Sequence, residues 1–536
     1  MKHPHCLALS VLVVVAAIEA WTGAPYSLGQ AQVTTSQYNN ARTGENPNET
    51  TLTPRNVNSR TFGRLFSLQV NGDVYAQPLY LAGLEIPGKG KHDVLFVATE
   101  HDSVYALDAN KKAPPLWRVD FVDAAKQVTP IPSQDLRCPF INPEVGITST
   151  PVIDPTRGIL FVLARTKEQL SGASPQYVQR LHALDVATGK EASGSPVVIK
   201  ATAVAEHRAD QRREVPFDPL IENPRAALLL VNGTVYLSWG SACDDGNYFG
   251  WVMAYDAQTL QQKAALNTSP NGNKSGIWQS DTGPAADSNG DVFVVTGNGG
   301  FDANNHDYGD TMLKLTLAGN DLSVSDYFTP HDQQTLSDKD QDLGAGGPVL
   351  LPDQSGAHPH LALVGGKDGN LFVVDRDRMG QYHAATDDVV QTVNLKGYLH
   401  AAPAYWNQHV YVFGDNDVLH QLAVRDGKLE RARDGSMGPV DPGATPAISA
   451  NADRDGIVWT ISTRAWRPFP ETLAVLHAYD ATDVSRELYR SDENSDRDRA
   501  GISLRFTIPT VINGRVYVGA RSEVDVYGLL HPATAR

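Results

Sequence analysis

Apolar residues in this chain come in short runs broken by turn residues, the pattern of strands rather than of helices. TVYLSW (234–239), DVFVVT (291–296), NLFVVD (370–375), IVWTIS (457–462) and RVYVGA (515–520) are rich in β-branched and aromatic side chains. Each follows a dipeptide that tolerates positive φ: Asn232-Gly233, Asn289-Gly290, Asp368-Gly369, Asp455-Gly456 and Asn513-Gly514. Tight hairpins between antiparallel strands are therefore expected. A further strand follows in several places and ends in an Asp-centred turn, as in LHALDVATG (181–189), VMAYDAQTL (252–260) and LHAYDATDV (476–484). No long stretch has a 3.6-residue period, so helices should be few.

These elements repeat. A proline followed by a short apolar run recurs at Pro78, Pro151, Pro224, Pro284, Pro348, Pro403, Pro446 and Pro509, at spacings of 73, 73, 60, 64, 55, 43 and 63 residues. The irregular excess reads as loop insertions on a four-strand unit of about 40 residues. A chain of this length exceeds one globular core, which begins to fail near roughly 250–300 residues. The expected fold is all-β: an eight-bladed β-propeller of four-stranded antiparallel blades over 62–530, each sheet packing against its neighbours. RLFSLQV (64–70) has no partner nearby, and the chain finishes with RVYVGARSEVDVYGLL. The two are expected to pair and close the ring from both ends.

Composition adds limits. With 45 basic and 61 acidic side chains the net charge is −16, which disfavours a nucleic-acid partner. Lys2, His3 and His5 precede an apolar run from Cys6 to Ile18, too short to span a bilayer but typical of a signal peptide. We expect a signal peptide over 1–31 with cleavage between 20 and 31, a polar arm over 32–61, a short tail over 531–536, and no membrane span in the mature chain. The protein would then be exported, to the periplasm or outside the cell. Cys138 and Cys243 would meet an oxidising compartment in which they could pair.

The A-x-D-x-x-T-G turns and the eight units resemble the pyrroloquinoline quinone (PQQ) repeat propellers, which include quinoprotein alcohol dehydrogenases and non-catalytic scaffolds. Four segments sharpen the likeness to the dehydrogenases: 276–302, 327–332, 340–351 and 365–376. The resemblance implies PQQ and calcium as cofactors, with Trp278 against the quinone face and Lys367 at the quinone oxygens. It implies Asn298 and Glu168 as metal ligands, whose amide and carboxylate oxygens suit hard Ca²⁺. Asp342, with Asp340 as the alternative, falls where the family has the general base that takes the alcohol proton.

The chain also departs from that family. The dehydrogenases carry two adjacent cysteines over the cofactor's second face, and here only Cys138 lies in the comparable region. No C-x-x-C-H haem motif occurs, so electrons would leave through a separate acceptor. His358-Pro359-His360 reads as a loop, and FDANNHDYGD (301–310) as a solvated acidic loop without EF-hand spacing. Two functions stand at this point. One is a quinoprotein oxidoreductase acting on an alcohol or related small polar substrate. The other is a non-catalytic propeller that binds protein or carbohydrate.

Overall fold

A computed structural model describes residues 31–530 except 139, 170–173, 208–210, 245, 281, 439–440 and 464–470. The expected signal peptide and tail lie outside the described residues. Eight antiparallel sheets follow one another around a ring. Blades 1 to 7 span residues 79–120, 152–198, 229–267, 285–328, 349–394, 404–434 and 447–490. Blade 8 combines Thr510–Ile512 and Arg515–Leu529 with Phe62–Asp73, so the expected closure from both termini is present, with Leu68 opposite Val524. The long strand of blade 8 folds back at Ser522 (φ +57°). A Cβ on Gly528 would lie 3.1 Å from the Gly514 carbonyl oxygen, which a straight strand of that length, about 46 Å, could not permit.

Burial explains the runs read from sequence. Central strands have blades on both faces, so Ile159–Glu168 is buried over its first eight residues. The outermost strands face a neighbour on one side only, and Trp117–Asp120 alternates half-buried with exposed. The interfaces are apolar clusters that each join neighbouring blades, such as Trp239 and Trp251 with Phe161 between blades 2 and 3, or Trp406 with Val458 between blades 6 and 7. The Asp-centred turns are held by the side chain: Asp185 accepts from the Thr188 amide (2.7 Å) and hydroxyl (2.5 Å), and Asp480 from those of Thr482. Asp368-Gly369 forms the expected hairpin, between the second and third strands of blade 5, whereas Asp455-Gly456 departs from expectation by lying inside a strand, where a Cβ on Gly456 would strike the Trp406 ring at 2.5 Å.

Seven of the eight blade prolines immediately precede the innermost strand, where the missing N–H costs no ladder hydrogen bond, while Pro224 follows Glu222–Asn223 and lies five residues ahead of Leu229. Residues ahead of the prolines, among them Ala345, His400 and Phe506, face a cavity at one end of the ring axis. Residues after them meet the N-terminal arm at the other end. Arm backbone or side-chain atoms bond Ile153, Leu230, Ala286, Leu350, Tyr405, Ile448 and Val511, on seven blades, while Gln32–Val33 pairs with blade 1. Arg42 is fully buried at the centre of this arm, donating to the carbonyls of Pro284, Ser36 and Leu228 and to the Thr35 hydroxyl. The cavity is therefore blind at its base.

Candidate active site

The axial cavity measures about 780 Å³ and is lined by residues from many blades, a size typical of small-molecule sites, about 300–1,000 Å³. Trp278 forms part of its wall. The indole rests on bare backbone, because Cβ atoms on Gly240, Gly276 or Gly297 would all lie within 3.3 Å of it. Tyr248 braces it edge-on at 6.3 Å, and its buried Nε1 has no hydrogen-bond partner. Backbone of blade 3 and of the loops of blade 4 thus supports a large aromatic plate in the cavity wall.

Beside it lies a compact polar network. Asp342 is buried: its Oδ1 accepts from the Asn298 amide at 2.8 Å, and its Oδ2 lies 2.5 Å from Lys367 Nζ. Asp340, in the left-handed region at φ +57°, accepts from Asn298 Nδ2 at 2.6 Å and from Lys367 at 3.3 Å. Burial alone would lower the Lys367 ammonium, but the Asp342, Asp340 and Asp244 carboxylates outweigh it and hold Lys367 above its ordinary value. Behind Asp342, Asp310 accepts from the Leu343 amide and Gln333 Nε2, and burial followed by the Asp342 charge pushes its carboxyl up to about 8. Burial, and then Asp342, also raises Asp244, whose Oδ1 accepts from Tyr248 at 2.5 Å.

Trp278, Asp340, Asp342 and Lys367 line this one cavity, and Asn298 bonds both aspartates from just behind its wall. Glu168 does not join them. It sits at the end of its blade 2 strand with its carboxylate engaged by Arg180 and Thr166, and Arg180 lowers its pKa. Among the described residues no group of three His, Cys, Asp or Glu could hold a metal ion. The buried Asn298 Oδ1 lacks a partner, as a metal-binding amide would, but Lys367 already fills the space against Asp342. The donor set does not fit the expected calcium site.

Cys138 and Cys243, which the sequence left able to pair, form a disulfide (Cα–Cα 5.7 Å), and both line the cavity. Other cavity residues went unread in the sequence. Arg505 lies 4.2 Å over the Phe140 ring, and Arg225 and Arg505 both lie against Phe506. His400 pairs with Asp415 at 2.7 Å. A signal for them was available: Ala345, His400 and Phe506 each stand three residues before a blade proline, and Arg225 directly follows one. The loop 301–310 forms a short hairpin near Asn298, with Asp307 accepting from the Asn271 and Gly272 amides. His358 and His360 pair with Asp375 and Asp377, consistent with a loop role.

No family model and no curated protein matches the chain. Solved structures do. The quinohemoprotein alcohol dehydrogenase of Comamonas testosteroni matches with a TM-score of 0.59 at 15% identity, over 94% of this chain and 82% of that one. The quinohemoprotein alcohol dehydrogenase ADHIIG of Pseudomonas putida HK5 matches with 0.59 at 14%, over the same shares, 94% and 82%. A europium-containing methanol dehydrogenase matches with 0.53 at 15%, over 93% and 98%. The class is thus that of eight-bladed propellers shared with the quinoprotein alcohol dehydrogenases. At these identities the likeness is one of fold.

Proposed function

We propose that this protein is an exported quinoprotein oxidoreductase that oxidises an alcohol or a related small polar substrate. The observation that carries the reading is the convergence of Trp278, Asp340, Asp342 and Lys367, with Asn298 behind them, on one blind axial cavity. PQQ suits the cavity chemically: a flat ligand would gain contact area on the indole, and its carboxylates would find Arg225, Lys339, Lys367 and Arg505 in the lining. A disulfide in the wall accords with an oxidising compartment.

When bound, PQQ would supply the two-electron acceptor for the hydride leaving the carbinol carbon, its electrons passing later to a separate acceptor. The chain's own part is proton chemistry. Asp342, with its Oδ2 2.5 Å from Lys367 Nζ, takes the hydroxyl proton as the C–H bond breaks and the aldehyde forms. Asn298 holds that carboxylate through its backbone N–H and fixes Asp340 through its side chain. The arm closes the far end of the axis, so substrate enters, and water is limited, from one side. Calcium forms no part of this proposal, because its expected carboxylate, Glu168, is spent on Arg180.

The test is a titration of the purified protein with PQQ followed by absorbance, then dye reduction with a panel of primary alcohols. Saturable binding that W278A weakens at least about tenfold, with alcohol-dependent dye reduction, is expected. Absence of saturable binding would reject the oxidoreductase and leave the scaffold reading.

A further inference from the structure

The cavity has two chemically distinct sides. Asp340 and Asp342, on the loop into blade 5, and Lys367, on the turn between the second and third strands of that blade, crowd one side. The other side is given by the insertion ahead of blade 2, whose strands Val128–Pro132 and Glu144–Val145 hang on the long strand Ile159–Glu168. Leu136, Ile141 and Val145 of this insertion line the cavity and belong to an apolar cluster of their own with Ile131 and Leu504. Phe140 packs against that cluster and lies under the Arg505 guanidinium. The Cys138–Cys243 disulfide pins the insertion to the loop after the second strand of blade 3, so the apolar wall is set in place before any ligand arrives.

Aliphatic side chains in that wall can stabilise hydrocarbon but satisfy no hydroxyl. A polyol placed on Leu136, Ile141 and Val145 would lose water and gain no partner from them. We infer that this insertion is a specificity wall for a hydrocarbon tail: the preferred substrates are primary alcohols whose hydroxyl sits at Asp342 and whose aliphatic or aryl tail lies on Leu136, Ile141 and Val145. Short alcohols and polyols are the poor substrates. The inference rests on the oxidoreductase reading for its chemistry, while the tail site itself can be measured without turnover.

The protein without added PQQ is titrated with 1-alkanols from ethanol to 1-octanol and with 1,8-octanediol, reading tryptophan fluorescence. Affinity should rise about threefold to fourfold per methylene, the factor for moving one methylene out of water, and 1-octanol should bind at least about tenfold more tightly than the diol. V145T, a near-isosteric change, and I141S should each flatten the slope. Unmodified protein with equal affinity along the series, or equal affinity for 1-octanol and the diol, overturns the wall whether or not the variants fold. Parallel dye reduction with PQQ separates the two claims. Oxidation without a chain-length slope removes the wall and keeps the oxidoreductase, whereas a binding slope without any oxidation keeps the wall and removes the oxidoreductase.

Discussion

Asp342 and Asp340 differ in what surrounds them, and the difference decides between them as the base. Asp342 is buried and bonded by a backbone amide and an ammonium, whereas the Asp340 side chain is two-thirds exposed. D342N should lower kcat for alcohol-dependent dye reduction by about 10²–10⁴-fold, the usual weight of a general base, with little change in PQQ affinity. D340N should cost far less. The reverse ranking would transfer the role to Asp340. Glu168 offers a control at the same scale: E168Q should leave the PQQ titration within about twofold of the unmodified protein, because its carboxylate serves Arg180 away from the cavity. A large loss of PQQ affinity in E168Q would return Glu168 to the site. From sequence alone Glu168, Asp340 and Asp342 are three carboxylates near turn residues. Their exposure and partners depend on which strands lie beside them, and no local pattern encodes that.

Among the elements, the insertion at 128–145 depends most on a single covalent link. The disulfide closes a span of 105 residues, and a link over a loop of that order constrains the unfolded chain by up to about 5 kcal/mol. Replacing both cysteines by serine should lower the unfolding midpoint in denaturant by about 2–5 kcal/mol equivalent and weaken PQQ binding, since both sulfurs stand in the cavity wall. Unchanged stability would mean that strand pairing alone holds the insertion. The blade elements themselves were legible, because alternating burial, hairpin dipeptides and Asp-centred turns act over a few residues. The insertion was not: its strands are five and two residues long, Val128–Pro132 pairs with Ile159–Glu168 at 36–40 positions' distance (Thr166 opposite Pro130, Glu168 opposite Val128), and Glu144–Val145 pairs in turn with Val128–Pro132.

The ring as a whole carries buried acids that titrate near neutrality. Burial pushes Asp310 up to about 8 and Glu100 and Glu45 up to about 7. In the unfolded chain these carboxyls ionise near pH 4. Above pH 6.5 the folded protein therefore still binds protons that the unfolded chain has lost, and stability falls as pH rises through the folded values. His182, which burial lowers, opposes the trend at the lower edge of that window, where the unfolded imidazole still holds part of a proton, and ceases to do so as the pH rises further. The melting temperature should drop between pH 6.5 and 8.5, and D310N should reduce the drop; a flat or rising profile contradicts this account. The arm is the second global feature. R42A would leave the carbonyls of Pro284, Ser36 and Leu228 without their buried donor, and a loss of about 3–5 kcal/mol in denaturant unfolding is expected. A loss below about 1 kcal/mol would mean that the ring closes without the arm.

The sequence by itself determined the strands, their hairpins, the eightfold repetition and the pairing of the two chain ends, since each follows from local periodicity or from an apolar strand that lacks a neighbour. The resemblance of its segments to the quinoprotein dehydrogenases, and not any local pattern, singled out Trp278, Asn298, Glu168, Asp340, Asp342 and Lys367. The tertiary structure alone decided the rest: that Glu168 points to Arg180, that two distant cysteines meet, that arginines and Phe506 crowd the axis, and that the arm seals it. Those outcomes depend on which residues eight separate blades turn toward a common centre, and that convergence exists only once the ring has closed.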